Sequence, residues 1–283
     1  MVPAAATLAG QQAAFTMTDH RDSRREALRY LGWVLVFSLP FWLLGSVSGT
    51  QLGDYIPANL PISALMAVCP LLAVLAIAGA ERRRLVQRAF DWKRIPWLWF
   101  VPALLLMPVV TLAGYGLAGK LSWLVEFPAF SPAVPALLFA VFLVSAACEE
   151  VGWQGYLYPR IERMAPAGIA AAGIGALWAV WHIVPYFQGG HDGAWVFWQC
   201  LNTVALRILI VWVYLNARRS VFAAVLTHAT INLAVFLTPD QGASFDPATA
   251  AIASWLTVGV IAALWEPRTL NRFRFQKSSP RAR

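Results

Sequence analysis

Eight stretches of this chain read as near-continuous apolar runs of roughly 17–25 residues, the length a helix needs to cross the hydrocarbon core of a bilayer. They fall at about 30–47, 60–80, 96–118, 134–155, 166–187, 194–216, 220–238 and 248–265. None has the strict two-residue alternation of a barrel strand, so the expected fold class is all-α: a polytopic membrane protein with about eight transmembrane helices around an intramembrane polar site. Composition agrees, since 59% of the residues are apolar against about 45–50% in soluble domains.

The basic residues test the span count independently. Of the 22 Lys and Arg, all but Lys120 and Arg207 lie before the first run or after the second, fourth, sixth and eighth. Alternate connections are therefore basic, and the positive-inside rule puts both termini in the cytoplasm of an integral membrane protein. The pI of 9.9 follows from these loops and their attraction to anionic lipid headgroups, so the lipid bilayer is the implied partner and nucleic acid is not.

Residues 1–22 are Ala-rich without a basic n-region or a sustained apolar core. They read as a disordered cytoplasmic tail, or as sequence ahead of a true start at Met17, and not as a signal peptide. Ser23 and Glu26 have capping-box spacing that would start a short surface helix. The membrane domain is expected over 23–268, with its motifs within about 134–238, and a basic cytoplasmic tail over 269–283. Cys69, Cys148 and Cys200 are isolated within spans, which argues against a disulfide framework or a Cys-rich metal site.

Against this apolar background a few residues are expensive. A charge at mid-helix costs about 2.5–3.5 kcal/mol on insertion scales and usually faces a cavity or a partner. The set comprises Glu149 and Glu150 after the uncharged run Val134–Cys148, His182 in WAVWHIVPYF, Arg207 with Asn202, and His228 with Asn232 in LTHATINL. His191 and Asp192, in QGGHDG, read as turn chemistry.

Spacing links several of them. His228 and Asn232 are four apart and share one helix face, while the adjacent Glu149 and Glu150 point roughly 100° apart and cannot serve one atom equally. One acid is expected to do chemistry and the other to support it. The depths of Glu149, His182 and His228 overlap if the helices tilt or if the fourth helix runs on past the interface, and the amphipathic continuation YLYPRIERM favours the second. Arg207 lies too deep to snorkel and needs an anion, and the acids at comparable depth are Glu149 and Glu150. Pairing of Arg207 with Glu150 would leave Glu149 available to a water.

The order EE-VGW-Q-G from Glu149, WxxxH from Trp178 to His182, and HxxxN from His228 to Asn232, each on a separate helix, resembles the CAAX-protease and bacteriocin-processing (CPBP, or ABI) family of intramembrane proteases. The likeness covers the fourth through seventh spans. It implies an intramembrane endopeptidase, in a bacterial plasma membrane, in which Glu149 activates a water, His182 and His228 hold that water or a metal, and Asn232 stabilises the oxyanion. Gln154 stands where the family pattern has Arg, and Trp178 where Phe is usual.

The chemistry holds together without the family. Peptide hydrolysis within a membrane needs a polar pocket, a base, a water and an oxyanion donor. Glu149, His182 and His228 also form a candidate three-ligand zinc set with an open fourth position. No HExxH occurs, however, and a glutamate-activated water needs no metal, so zinc is left open as a cofactor. The substrate is a peptide or membrane protein: prenylated C-termini, bacteriocin-type peptides and membrane-bound regulators are equal candidates. Two other readings stand behind the protease. One is a catalytically degenerate scaffold or regulator, suggested by Gln154. The other is an ion-coupled transporter, for which repeated halves and paired broken helices would be needed and are absent.

Overall fold

The computed structural model describes residues 4–52, 60–119, 131, 133–237 and 245–275, with side chains from His20 onward. Helix α1 runs Ala4–Ser48, taking in residues whose composition reads as a tail, and a 3-10 segment at Ile62–Val68 leads into α2 (Cys69–Ile77). Then come α3 (Arg82–Arg88), α4 (Phe100–Leu117), α5 (Ala133–Glu150) and α6 (Tyr158–Glu162), followed by α7 (Ala167–Gln188), α8 (Gly193–Asn216), α9 (Val221–Phe236) and α10 (Pro247–Leu264). Among the described residues no strand forms, and only two isolated bridges join extended backbone. That is the outcome expected where lipid offers no partner for unpaired backbone groups.

Each of the eight apolar runs contains helix, but the span count differs from expectation. Six described helices are long and apolar enough to cross a membrane: His20–Ser48, Trp97–Leu117, Ala133–Glu162, Ala167–Gln188, Gly193–Asn216 and Pro247–Leu264. The apolar helices at Ile62–Ile77 and Val221–Phe236 are shorter. Helix α9 has 16 residues, which spans about 24 Å. It packs against α4, α5 and α8, so its length is set by protein neighbours more than by lipid.

The local signals are mixed in their outcome. Asp192, Ser220 and Asp246 start α8, α9 and α10 by accepting backbone N–H groups, caps worth about 1 kcal/mol each. Ser23 is not a cap: it lies inside α1 and is buried, because the helix is already running before it. The fourth span does run on as anticipated, helical from Ala133 to Glu162. Its middle is a π-helical turn, Val151–Leu157, every residue of which is buried. Such a wide turn inside an α-helix frequently marks a functional site.

Helix α8 is the axis of the bundle. Two thirds of its apolar window is buried, 67% against 17% for α1, and it packs on α7, α9 and α10. A tight reversal joins it to α9 with Arg218 and Arg219 both left-handed, at φ 54° and 57°, a conformation that costs non-glycine residues energy. Carbonyls in this turn are held from α3 and the segment after it, where Arg88 donates to Arg219 O at 2.8 Å and Arg94 to Arg218 O at 3.2 Å.

Close approach of α7 to α8 depends on Gly175. A Cβ there would lie 2.9 Å from Val204 Cα, 3.1 Å from the Val204 carbonyl oxygen and 3.2 Å from Arg207 Cβ. Backbone on the neighbouring helix cannot step aside as a flexible side chain can. We expect Gly175→Val to destabilise by about 1–3 kcal/mol through overpacking. Gly173→Ala, on the same helix but with nothing within 4 Å of the added methyl, should be neutral or stabilising by up to ~1 kcal/mol. Thermal unfolding in detergent measures both, and equal midpoints for the two variants would contradict this packing.

Candidate active site

Consecutive turns of α7, α8 and α9 supply the walls of one cavity of about 280 Å³. From α9 come His228, Ile231, Asn232, Val235 and Phe236, the i, i+3, i+4, i+7, i+8 set of a single helix face. Helix α7 contributes Trp178, His182 and Tyr186 at four-residue spacing, and α8 presents Gln199, Asn202, Thr203 and Leu206. Glu149 reaches the same cavity from α5, whereas Glu150 does not line it. The two acids thus face different surroundings, as their angular separation on the helix requires.

Glu150 is fully buried and ionically paired. Arg207 Nη1, also fully buried, donates to both carboxylate oxygens at 2.9 and 2.7 Å. His228 Nδ1 lies 2.9 Å from Glu150 Oε1. A carboxylate already bound to a guanidinium accepts hydrogen bonds, so this imidazole donates from Nδ1. Arg207 is thus paired with Glu150 and not with Glu149, and the cluster joins α5, α8 and α9 at one point.

Glu149 is 4% exposed, and its Oε2 accepts a hydrogen bond from Trp178 Nε1 at 2.8 Å. The Trp178 ring has the Arg207 guanidinium carbon 4.1 Å from its centroid, a stacking that favours a cation. Its ring also meets those of His182 and His228 edge-on, at 5.3 and 5.1 Å between centroids. One tryptophan thus touches both the acid that lines the cavity and the cation bound to the other acid. Phenylalanine at this position could stack but could not donate to Glu149.

His182 Nδ1 lies 2.8 Å from the Trp178 carbonyl oxygen, one turn back on its own helix. A carbonyl only accepts, so Nδ1 carries the proton here too. Both cavity histidines therefore spend Nδ1 on a fixed acceptor, and in the neutral ring each keeps Nε2 as its lone-pair nitrogen. The three side chains proposed as zinc ligands line one cavity, but no group of three or more His, Cys, Asp or Glu converges as a metal site among the described residues. The arrangement does not fit a three-ligand zinc.

Gln154 behaves unlike the other selected residues. It is buried in the π-helical turn, and neither its amide nitrogen nor its oxygen has a hydrogen-bond partner among the described residues. It does not contact the acid pair the way a cation would. Asp192 is the α8 cap, in keeping with its reading as turn chemistry. His191 does more than turn: it stacks on Trp195 with centroids 3.5 Å apart and lies at the cavity, and burial pushes its imidazole pKa down.

Of the polar wall, the sequence singled out Asn202 and missed Tyr186, Gln199, Thr203 and Ser254. Ser254 donates to Asn202 Oδ1 at 2.7 Å, Asn202 Nδ2 lies 3.4 Å from Gln199 Oε1, Thr203 donates to the Gln199 carbonyl, and the Tyr186 hydroxyl lies 3.4 Å from Thr203 Oγ1. Their helical spacing could have found them: Tyr186 is one turn beyond His182, while Gln199 and Thr203 share a face.

Residues 131–234 match the family model described as type II CAAX prenyl endopeptidase Rce1-like. Over 214 residues the chain is 29% identical to CAAX prenyl protease 2 of Methanococcus maripaludis, covering 68% of this chain and 77% of that protein. The fold is that of a helical integral membrane protein, and its site-bearing segment is similar to proteases. That segment also carries the motifs that resemble the CAAX-protease and bacteriocin-processing family.

Stranding either member of the buried pair leaves an uncompensated charge. Arg207→Leu is expected to destabilise by about 3–5 kcal/mol, with much of the loss recovered in the double variant with Glu150→Gln. Unfolding of the single and double variants in detergent measures the coupling. Additive losses would mean that the two groups do not depend on each other.

Proposed function

We propose that the chain is an intramembrane endopeptidase that hydrolyses a peptide bond with a water activated by Glu149. The observation that carries this reading is the division of labour between the adjacent acids. Glu150 is saturated by Arg207 and His228, whereas Glu149 lines the cavity with one tryptophan donor. A carboxylate that faces a cavity can take a proton from a water held there.

In the proposed step, Glu149 takes a proton from the water as its oxygen adds to the peptide carbonyl carbon. The same proton then passes to the departing amine as the C–N bond breaks. His182 and His228, with Nδ1 held by the Trp178 carbonyl and by Glu150, offer Nε2 to orient the water. Asn232, one turn from His228, donates its side-chain N–H to the carbonyl oxygen as charge develops there. Arg207 supplies from α8 the positive charge that the family pattern carries at position 154. The relative's name specifies a prenylated C-terminal peptide as that protein's substrate class, and hydrolysis of a peptide in a membrane is the part that carries over.

Cleavage of candidate peptides by purified protein in detergent tests the assignment. Glu149→Ala, His182→Ala and His228→Ala should each lower the rate more than ~100-fold, since a base or its orienter is typically worth that much or more. Asn232→Ala should lose about 10²–10³-fold, the range for one oxyanion donor. Wild-type rates in the Glu149 or His228 variant would overturn the assignment, and an unaffected Asn232 variant would make that residue a packing group.

A further inference from the structure

Asn202 takes no part in the hydrolytic step, yet it is buried in α8 and lines the cavity that Glu149, His182, His228 and Asn232 share. A primary amide withdrawn from water costs energy unless its donors and acceptor find partners. Here the acceptor is met in full. Ser254 of α10, itself buried, donates to Asn202 Oδ1 at 2.7 Å, which decides the way the amide is turned. The nitrogen carries two hydrogens, and its one partner among the described residues is Gln199 Oε1 at a long 3.4 Å. At least one N–H is therefore available to an occupant of the cavity.

The amide is held more firmly than a lone surface group would be. Thr203, next to it on α8, donates to the Gln199 carbonyl at 2.8 Å, and the Tyr186 hydroxyl of α7 lies 3.4 Å from Thr203 Oγ1. Asn202 thus stands in a hydrogen-bonded run that reaches from α10 across α8 to α7, with its oxygen committed to α10.

Position along the bundle suits a peptide. Helix α8 ends at Asn216 and α9 begins at Val221 across the tight reversal. Asn202 lies fourteen residues back from Asn216 and Asn232 eleven residues on from Val221, an offset of about 4–5 Å at 1.5 Å per residue. One extended residue advances a peptide by about 3.3–3.6 Å. A carbonyl adjacent to one held at Asn232 therefore falls near the level of Asn202.

Resting on the protease reading, we propose that Asn202 is a substrate-binding residue whose amide N–H donates to the backbone carbonyl next to the scissile one. Ser254 is the positioning residue that keeps the amide turned for this bond. The group recognised is a main-chain peptide carbonyl, so the contact sets the register of the substrate and carries no side-chain preference. It is made equally in the bound substrate and the transition state, whereas the bond from Asn232 strengthens as charge develops. Loss of the first raises KM, and loss of the second lowers kcat.

Cleavage kinetics of the purified full chain in detergent separate these effects. Asn202→Leu should raise KM about tenfold with kcat kept within about twofold, the size expected for one unpaired carbonyl. Ser254→Ala should raise KM by a smaller factor, also with kcat kept. Peptides in which the amide bond on one or the other side of the scissile bond is replaced by an alkene lack the recognised carbonyl. At one of these two positions the wild-type KM should rise about tenfold, while Asn202→Leu loses nothing further. If Asn202 only ties α8 to α10, the variants lose unfolding temperature and keep KM, which overturns the proposal. A loss confined to kcat, or a wild-type KM indifferent to the alkene at both positions, also overturns it, and an unchanged KM in Ser254→Ala overturns the orienting role. The alkene peptides need only the wild-type chain, so the test survives a variant that does not fold. Failure of the wild-type chain to cleave the unmodified peptide would instead overturn the protease reading.

Discussion

A carboxylate and a guanidinium, both withdrawn completely from solvent, fix Glu150 of α5 to Arg207 of α8. Neither could stay charged in an apolar interior without the other. His228 adds a bond from α9 to the same carboxylate, and Trp178 of α7 lies against the guanidinium. Four helices that could otherwise slide past one another are thereby set in register. Each of the remaining site groups is placed by reference to this cluster: Trp178 by its stacking on Arg207, Glu149 by its bond to Trp178, and His182 by its bond to the Trp178 carbonyl.

The same cluster separates the tasks of two neighbouring acids. In a shared environment they would repel, and one would hold a proton against the other. Here a cation and an imidazole are committed to Glu150, so Glu149 is the acid left facing the cavity. The peptide-hydrolysis reading depends on that asymmetry more than on any single motif.

Much of this was legible in the chain because burying charge in an apolar helix is costly. That cost singles out Glu149, Glu150 and Arg207, and depth pairs Arg207 with one of the acids. Four-residue spacing places His228 and Asn232 on one face. Other features leave weaker traces. Helix length is set by neighbours as well as lipid, which is why α9 falls short of the span its hydropathy suggests. The π-helical turn brings Gly152 close against Tyr30 and Pro70, contacts between distant parts of the chain that leave no trace in its local pattern. Gln154, chosen because it stands at a motif position, has no bonded role in the site. The role of Trp178 as a donor to Glu149 is visible only once the ring's direction is known.

The division between Glu149 and Glu150 is the central claim, and conservative removal of each negative charge tests it most directly. Cleavage rate and unfolding temperature would be read on the same purified samples of Glu149→Gln and Glu150→Gln. The account predicts that Glu149→Gln loses cleavage at an essentially unchanged unfolding temperature, while Glu150→Gln, which strands the Arg207 charge, lowers the unfolding temperature as well. An unfolding temperature lowered equally in both variants, or cleavage retained in Glu149→Gln, would contradict it.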